Sequence, residues 1–90
     1  MELTDKGLRP EAINMVYQED RKQREKWGDQ THSIYKWITI LSEEVGELSK
    51  AVLEAHHDTA AWKDVVKEAV QVATLALKIA WMVQRRRWGV

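Results

Sequence analysis

Between Ile34 and Ala55 the apolar residues stand at Ile34, Ile38, Leu41, Val45, Leu48, Val52 and Ala55, in alternating steps of four and three. That spacing is the 3.5-residue period of a helix that packs along its whole length, and it constrains the fold class more than any other feature of the chain. Turn formers are scarce, with one Pro and four Gly in 90 residues, which is too few for a β protein. The expectation is therefore an all-α fold: a single domain over residues 1–90, of about three helices, forming a multi-helix bundle by self-association. A chain of this size hides only ~60–65% of its unfolded surface, so a core built by one copy would be marginal.

Two further helices flank the seam. The first is expected from Pro10, suited to a first helical turn, to Trp27, with Gly28 as the stop. Its segment EDRKQREK reads as a solvated face, with Asp20–Arg24 and Arg21–Glu25 at i,i+4. The seam helix covers about 33–56, with Ser33 or Thr31 as N-cap. The third runs from about Ala60 to Arg87, with Asp58 or Thr59 as its cap. From Ala69 to Val83 it is apolar nearly all round, interrupted by Gln71, Thr74 and Lys78. A helix of that kind must be covered on every side, which points to a homodimer or tetramer. The stretch is too short and too polar to span a bilayer.

Composition excludes several functions. Lys plus Arg equal Asp plus Glu at 14 each, so bulk charge gives no reason to bind nucleic acid or an anionic membrane. The absence of Cys removes disulfides, thiol nucleophiles and Cys-based zinc sites, and suits a reducing, cytoplasmic setting. The opening MELTDKGLRPEA has no apolar core of a secretory signal. His56 and His57 are adjacent and cannot chelate as an i,i+4 pair, and neither HExxH nor ExxH occurs. Arg85-Arg86-Arg87-Trp88 complements a helix C-terminus.

The informative residues are acids. Glu44 and Glu47 are neighbours at i,i+3 on the flank of the seam, and Glu68 and Gln71 repeat that spacing within the apolar third helix. If the two helices pack antiparallel, the pairs can face each other. Three carboxylates and an amide oxygen would make a hard, all-oxygen site suited to Mg²⁺ or Mn²⁺. The plainer reading is a solvated Glu stripe with an ion pair from Glu47 to Lys50 or Lys67. Beside the seam, the loop Trp27-Gly28-Asp29-Gln30-Thr31-His32 could line a base pocket, with Trp27 or Trp37 stacking and Asp29 or Gln30 reading a base edge, or it could cap the bundle. Trp37, Trp62 and Trp81 fall at packing positions.

The run EEVGELSKA from Glu43 to Ala51, followed by EAVQ from Glu68 to Gln71 and preceded by REKWGDQTHSIYKWITIL, resembles the MazG-like all-α nucleoside triphosphate pyrophosphohydrolases. The resemblance spans roughly Arg24 to Trp81, and the family's pattern is ExxE, a spacer, then ExxD. It implies Mg²⁺-dependent cleavage of a (deoxy)nucleoside triphosphate to monophosphate and pyrophosphate. It further implies Glu44, Glu47 and Glu68 as metal ligands and Glu43, with Glu44, as the acids that handle the water. Lys50, Lys67 and Lys78 become phosphate contacts. Gln71 stands where the family has Asp, so the site has one negative charge fewer. A catalytically silent module of the same fold, binding nucleotide or a protein, is the alternative that this substitution raises.

Overall fold

The computed structural model describes residues 1–88. Helix α1 is Pro10–Trp27, α2 is Ile34–His57 and α3 is Trp62–Trp88, with a single 3-10 turn, Thr59–Ala61, before α3. No strand occurs among the described residues, and none of the helices is long and apolar enough to cross a membrane.

Local chemistry sets the boundaries. Pro10 occupies the first turn of α1, where its missing N–H costs nothing. Gly28 ends that helix at φ +67°, donating its N–H to the Arg24 carbonyl at 2.8 Å, a conformation an L side chain rarely adopts. Of the two expected caps for α2, Ser33 serves: its Oγ accepts from the Lys36 N–H at 3.2 Å. At the next corner Asp58 accepts from the Ala60 N–H at 3.0 Å and turns the chain into α3.

The third helix is central. α2 folds back along it, α1 lies on it as well, and the backbones of α1 and α2 do not approach each other. A cleft is therefore left between α1 and α2, floored by α3. Near the α2–α3 corner, Ala51 and Ala55 are fully buried, and their small side chains let the two helices come close. Thr74, only 1% exposed, satisfies its hydroxyl by donating to the Val70 carbonyl at 2.7 Å. Leu75 completes the short set of buried apolar residues.

The expected seam of α2 packs only in part: Leu41, Leu48 and Ala55 belong to the inward face, and its other four residues do not. Trp37, Ile40, Leu41, Glu44, Leu48, Ala51 and Ala55 turn inward, a face rotated by about 60° from the seam and centred close to Glu44. Ile34, Ile38, Val45 and Val52 remain 42–49% exposed. α3 differs from expectation too: its outer side keeps Leu77 and Val83 exposed, and Trp81, also exposed, lines the cleft beside Lys78 and Arg85 rather than packing in the core, whereas Trp37 and Trp62 are half-buried. The molecule is correspondingly open. Its accessible surface is 7592 Å², against ~5,400 Å² for a compact monomer of 10.5 kDa. Its radius of gyration is 14.7 Å, against about 12 Å for a compact domain of this length.

Candidate functional site

The cleft is built where the inward faces of all three helices become polar. On α1 the inward positions begin apolar, at Ile13 and Val16, and continue at the same spacing as Glu19, Asp20 and Gln23 before Trp27. On α2 the polar position is Glu44. On α3 they are Glu68, Gln71 and Lys78, all half-buried.

Glu44 and Glu68 come together as the i,i+3 pairing anticipated. The amide of Gln71 joins them: the hydrogen-bond network sets its nitrogen toward the acids, donating to Glu68 Oε2 at 3.0 Å and to Glu44 Oε2 at 3.1 Å. Gln71 thus supplies two donors where an acceptor oxygen was expected. Burial, followed by the charges of Glu68 and Glu47, the hydrogen bond with Glu68 and the charge of Glu19, pushes the Glu44 carboxyl above its ordinary value. The first is loss of water around the charged form, the hydrogen bond favours the protonated carboxyl, and the other three are repulsion between like charges.

Glu47 contributes to this field from the exposed side of α2. It does not close a ligand set, because no group of three or more His, Asp or Glu side chains among the described residues is arranged to hold a metal ion. Glu43 is exposed, about 100° round the helix from Glu44, and lines neither of the cavities described next. Lys50 is likewise exposed and outside both.

One cavity, of about 950 Å³, runs from Glu44, Gln71 and Glu19 past Trp37 and Trp27, and carries Lys22, Lys26, Lys36 and Lys67 on its rim. Trp37 is met edge-on by His32, with ring centres 4.8 Å apart, and Lys26 lies 4.8 Å from the Trp27 ring centre. A second cavity, of about 730 Å³, shares Trp27, Gln30 and Trp37 with the first and continues toward Asp29, Lys78 and Arg85. The two share a wall, and together they line the cleft.

Several expected ligand contacts are already engaged. Asp29 pairs with Arg24 at 2.8 Å. Lys78 pairs with Asp20 at 2.7 Å and donates to Gln23 Oε1 at 3.0 Å, while Gln23 donates to Glu19 at 2.9 Å. The expected i,i+4 pairing of Asp20 with Arg24 is replaced by these contacts, and the segment EDRKQREK is not uniformly solvated: Glu19, Asp20 and Gln23 face α3. Lys78 therefore fastens α1 to α3. Lys67, Trp27, Trp37, Gln30 and His32 do line the cleft as anticipated, and Glu19, Gln23, Lys22, Lys26 and Lys36 join them unannounced. The 3–4 spacing of Val16, Glu19, Gln23 and Trp27 was the available signal. Arg85 and Arg86 are exposed, and the side chains of Arg87 and Trp88 lie outside the described residues.

Comparison of the chain with protein-family models, with curated proteins and with solved structures finds no match.

Proposed function

We propose that this protein is a Mg²⁺-dependent nucleoside triphosphate pyrophosphohydrolase that binds its substrate in the cleft between α1 and α2. The observation that carries the reading is the joining of Glu44 and Glu68 through Gln71, beside a cavity that Glu44 and Gln71 line, whose rim holds Lys22, Lys26, Lys36 and Lys67 and whose wall holds Trp27 and Trp37. Acids for a divalent cation, ammonium groups for a polyphosphate and indoles for a base share one space of ligand size.

A hard cation suits this donor set. Glu44 and Glu68 offer adjacent carboxyl groups, Glu47 adds its negative field at Glu44, and a half-turn of the Gln71 amide would present its carbonyl oxygen where its nitrogen now stands. Mg²⁺, or Mn²⁺, bound there would supply neutralisation of the triphosphate and of the charge developing in its cleavage. The protein's own groups do the rest. Lys67 and the α1 lysines hold phosphate oxygens, and Trp27 and Trp37 exclude water from the base. Glu19, facing Glu44 from α1, is better placed to orient a water than Glu43, which the sequence nominated. The working assembly is a homodimer or tetramer, since three helices with so small a core do not bury enough surface alone.

A second reading is favoured by one observation. The Gln71 amide nitrogen donates to both acids, a neutral partner for the two carboxyl groups, which suits a catalytically silent module that binds nucleotide or a protein. Pyrophosphate release over all canonical NTPs and dNTPs, with Mg²⁺ and with Mn²⁺, separates the two: release from at least one substrate is expected. No release with either ion would establish the silent module. In the enzyme, Gln71→Asp exchanges two donors for a further carboxylate, so metal-free stability falls while the thermal stabilisation by Mg²⁺ grows; if neither changes, Gln71 is not at a metal site.

A further inference from the structure

The side of α2 turned away from the cleft has no work in the chain as it stands. Lys36, Glu43, Glu44, Glu47, Lys50 and Glu54 carry all the Asp, Glu, Lys and Arg charges of this helix, and they fall within an arc of about 120°. The arc facing outward, roughly half the circumference, has none. Along it Ile34, Ile38, Val45 and Val52 are exposed, with Ser42 and Ser49 between them. A solvated helix face is ordinarily where charges collect. A face from which they are missing over 24 residues, yet which no other helix covers, has the composition of an interface core.

We infer that this face of α2 is the contact between two copies of the chain, α2 against α2 across a twofold axis near Val45. The surface excess sets the scale. The chain exposes ~2,000 Å² more than a compact monomer of its mass would. The exposed segment 1–9 accounts for part of that excess, and a standard interface takes roughly 800 Å² per partner. Pattern sets the symmetry. Val45 lies at the middle of Ile34–His57, and Ile38-Ser42-Val45-Ser49-Val52 reads large, small, large, small, large in both directions. A strip of that kind is complementary to itself, as a twofold contact requires. The small Ser42 and Ser49 permit close approach of the two helices, and the absence of charge means that no ion is stripped of water. The inference does not depend on the catalytic reading, since this face lies on the opposite side of α2 from Glu43 and Glu47.

The test is the mass of the full 90-residue chain and the reactivity of single cysteines, which the natural sequence lacks. Sedimentation equilibrium at micromolar concentration should return two copies, or a closed multiple of two. Val45→Cys should oxidise to a disulfide-linked dimer that retains its helical signal, whereas Glu54→Cys, on the charged arc, should not. Val45→Glu should give a monomer or lose its fold; the cysteine variants keep the inference open to refutation in the second case. A folded wild-type monomer would overturn it. So would a dimer in which Val45→Cys fails to cross-link, which would transfer the contact to the Leu77 and Val83 face of α3. Masses that climb with concentration and never close would overturn the twofold axis.

Discussion

The two sides of α2 are made of similar apolar residues and meet opposite fates. The inward side holds Trp37, Ile40, Leu48, Ala51 and Ala55 around Glu44 and packs toward α3; the outward side holds Ile34, Ile38, Val45 and Val52, which stay exposed among the described residues. Apolarity does not separate them. What separates them is side-chain size at the corner and the presence of polar partners. Ala51 and Ala55 allow α3 to approach where Asp58 turns the chain, and once the helices are that close, Glu44 meets Glu68 and Gln71. Packing between two helices follows the face that permits close approach along a whole length, and a polar residue inside that face is carried in with it if it finds partners.

The largest expected effect tests the covered side. Leu75→Asp places an unpartnered carboxylate in the smallest part of the core, and a loss of ~4 kcal/mol or more should abolish cooperative unfolding as followed by circular dichroism. Ala55→Leu is the next step down. With 1% of its surface exposed, Ala55 leaves no room, so overpacking should cost ~1–3 kcal/mol in urea denaturation. By contrast Leu53→Ala, at a position 71% exposed, should stay within about 0.5 kcal/mol. Equal costs at the two positions would erase the distinction between the sides of α2.

A smaller effect is expected where α1 is fastened. Lys78→Met removes the contacts with Asp20 and Gln23, and a cost of about 1 kcal/mol is expected for a half-exposed ion pair. Hydrogen exchange should rise throughout α1 and stay unchanged at the α2–α3 corner, because α1 is held by α3 alone. The smallest effect concerns acidity. Burial and the surrounding acids hold the Glu44 carboxyl above its ordinary 4.5 in the folded chain, so between that value and the raised one the folded state binds the extra proton. Stability of the metal-free protein should therefore fall as pH rises from about 4.5 through the raised value. Glu44→Gln should flatten that slope and also remove stabilisation by Mg²⁺, both readable as melting temperatures against pH. A slope unchanged in Glu44→Gln would place the titrating group elsewhere.

The legibility of this molecule varies with the range of the interaction. Pro10 and Gly28 bracket α1 at the residues expected, and Ser33 and Asp58 cap where capping chemistry says they should, because each boundary is decided by side chains within four positions. The proximity of Glu44, Glu68 and Gln71 was also readable, since two i,i+3 pairs on helices joined by a short corner have few other places to go. The role of α1 was not. Glu19, Asp20 and Gln23 sit in a run of alternating charges, and local sequence cannot distinguish a polar residue facing water from one facing Lys78 some fifty-five positions away.

The sequence by itself determined three helices, their ends and the acids that would share a helix flank, because helix propensity, capping and periodicity act over a turn or two. Tertiary structure decided which flank of α2 went inward, which amide proton reached which carboxylate, and that α1 and α2 would stand apart over α3 with a lysine-rimmed cleft between them. Those outcomes depend on how closely two helices can approach, a property of pairs of surfaces that no single helix encodes.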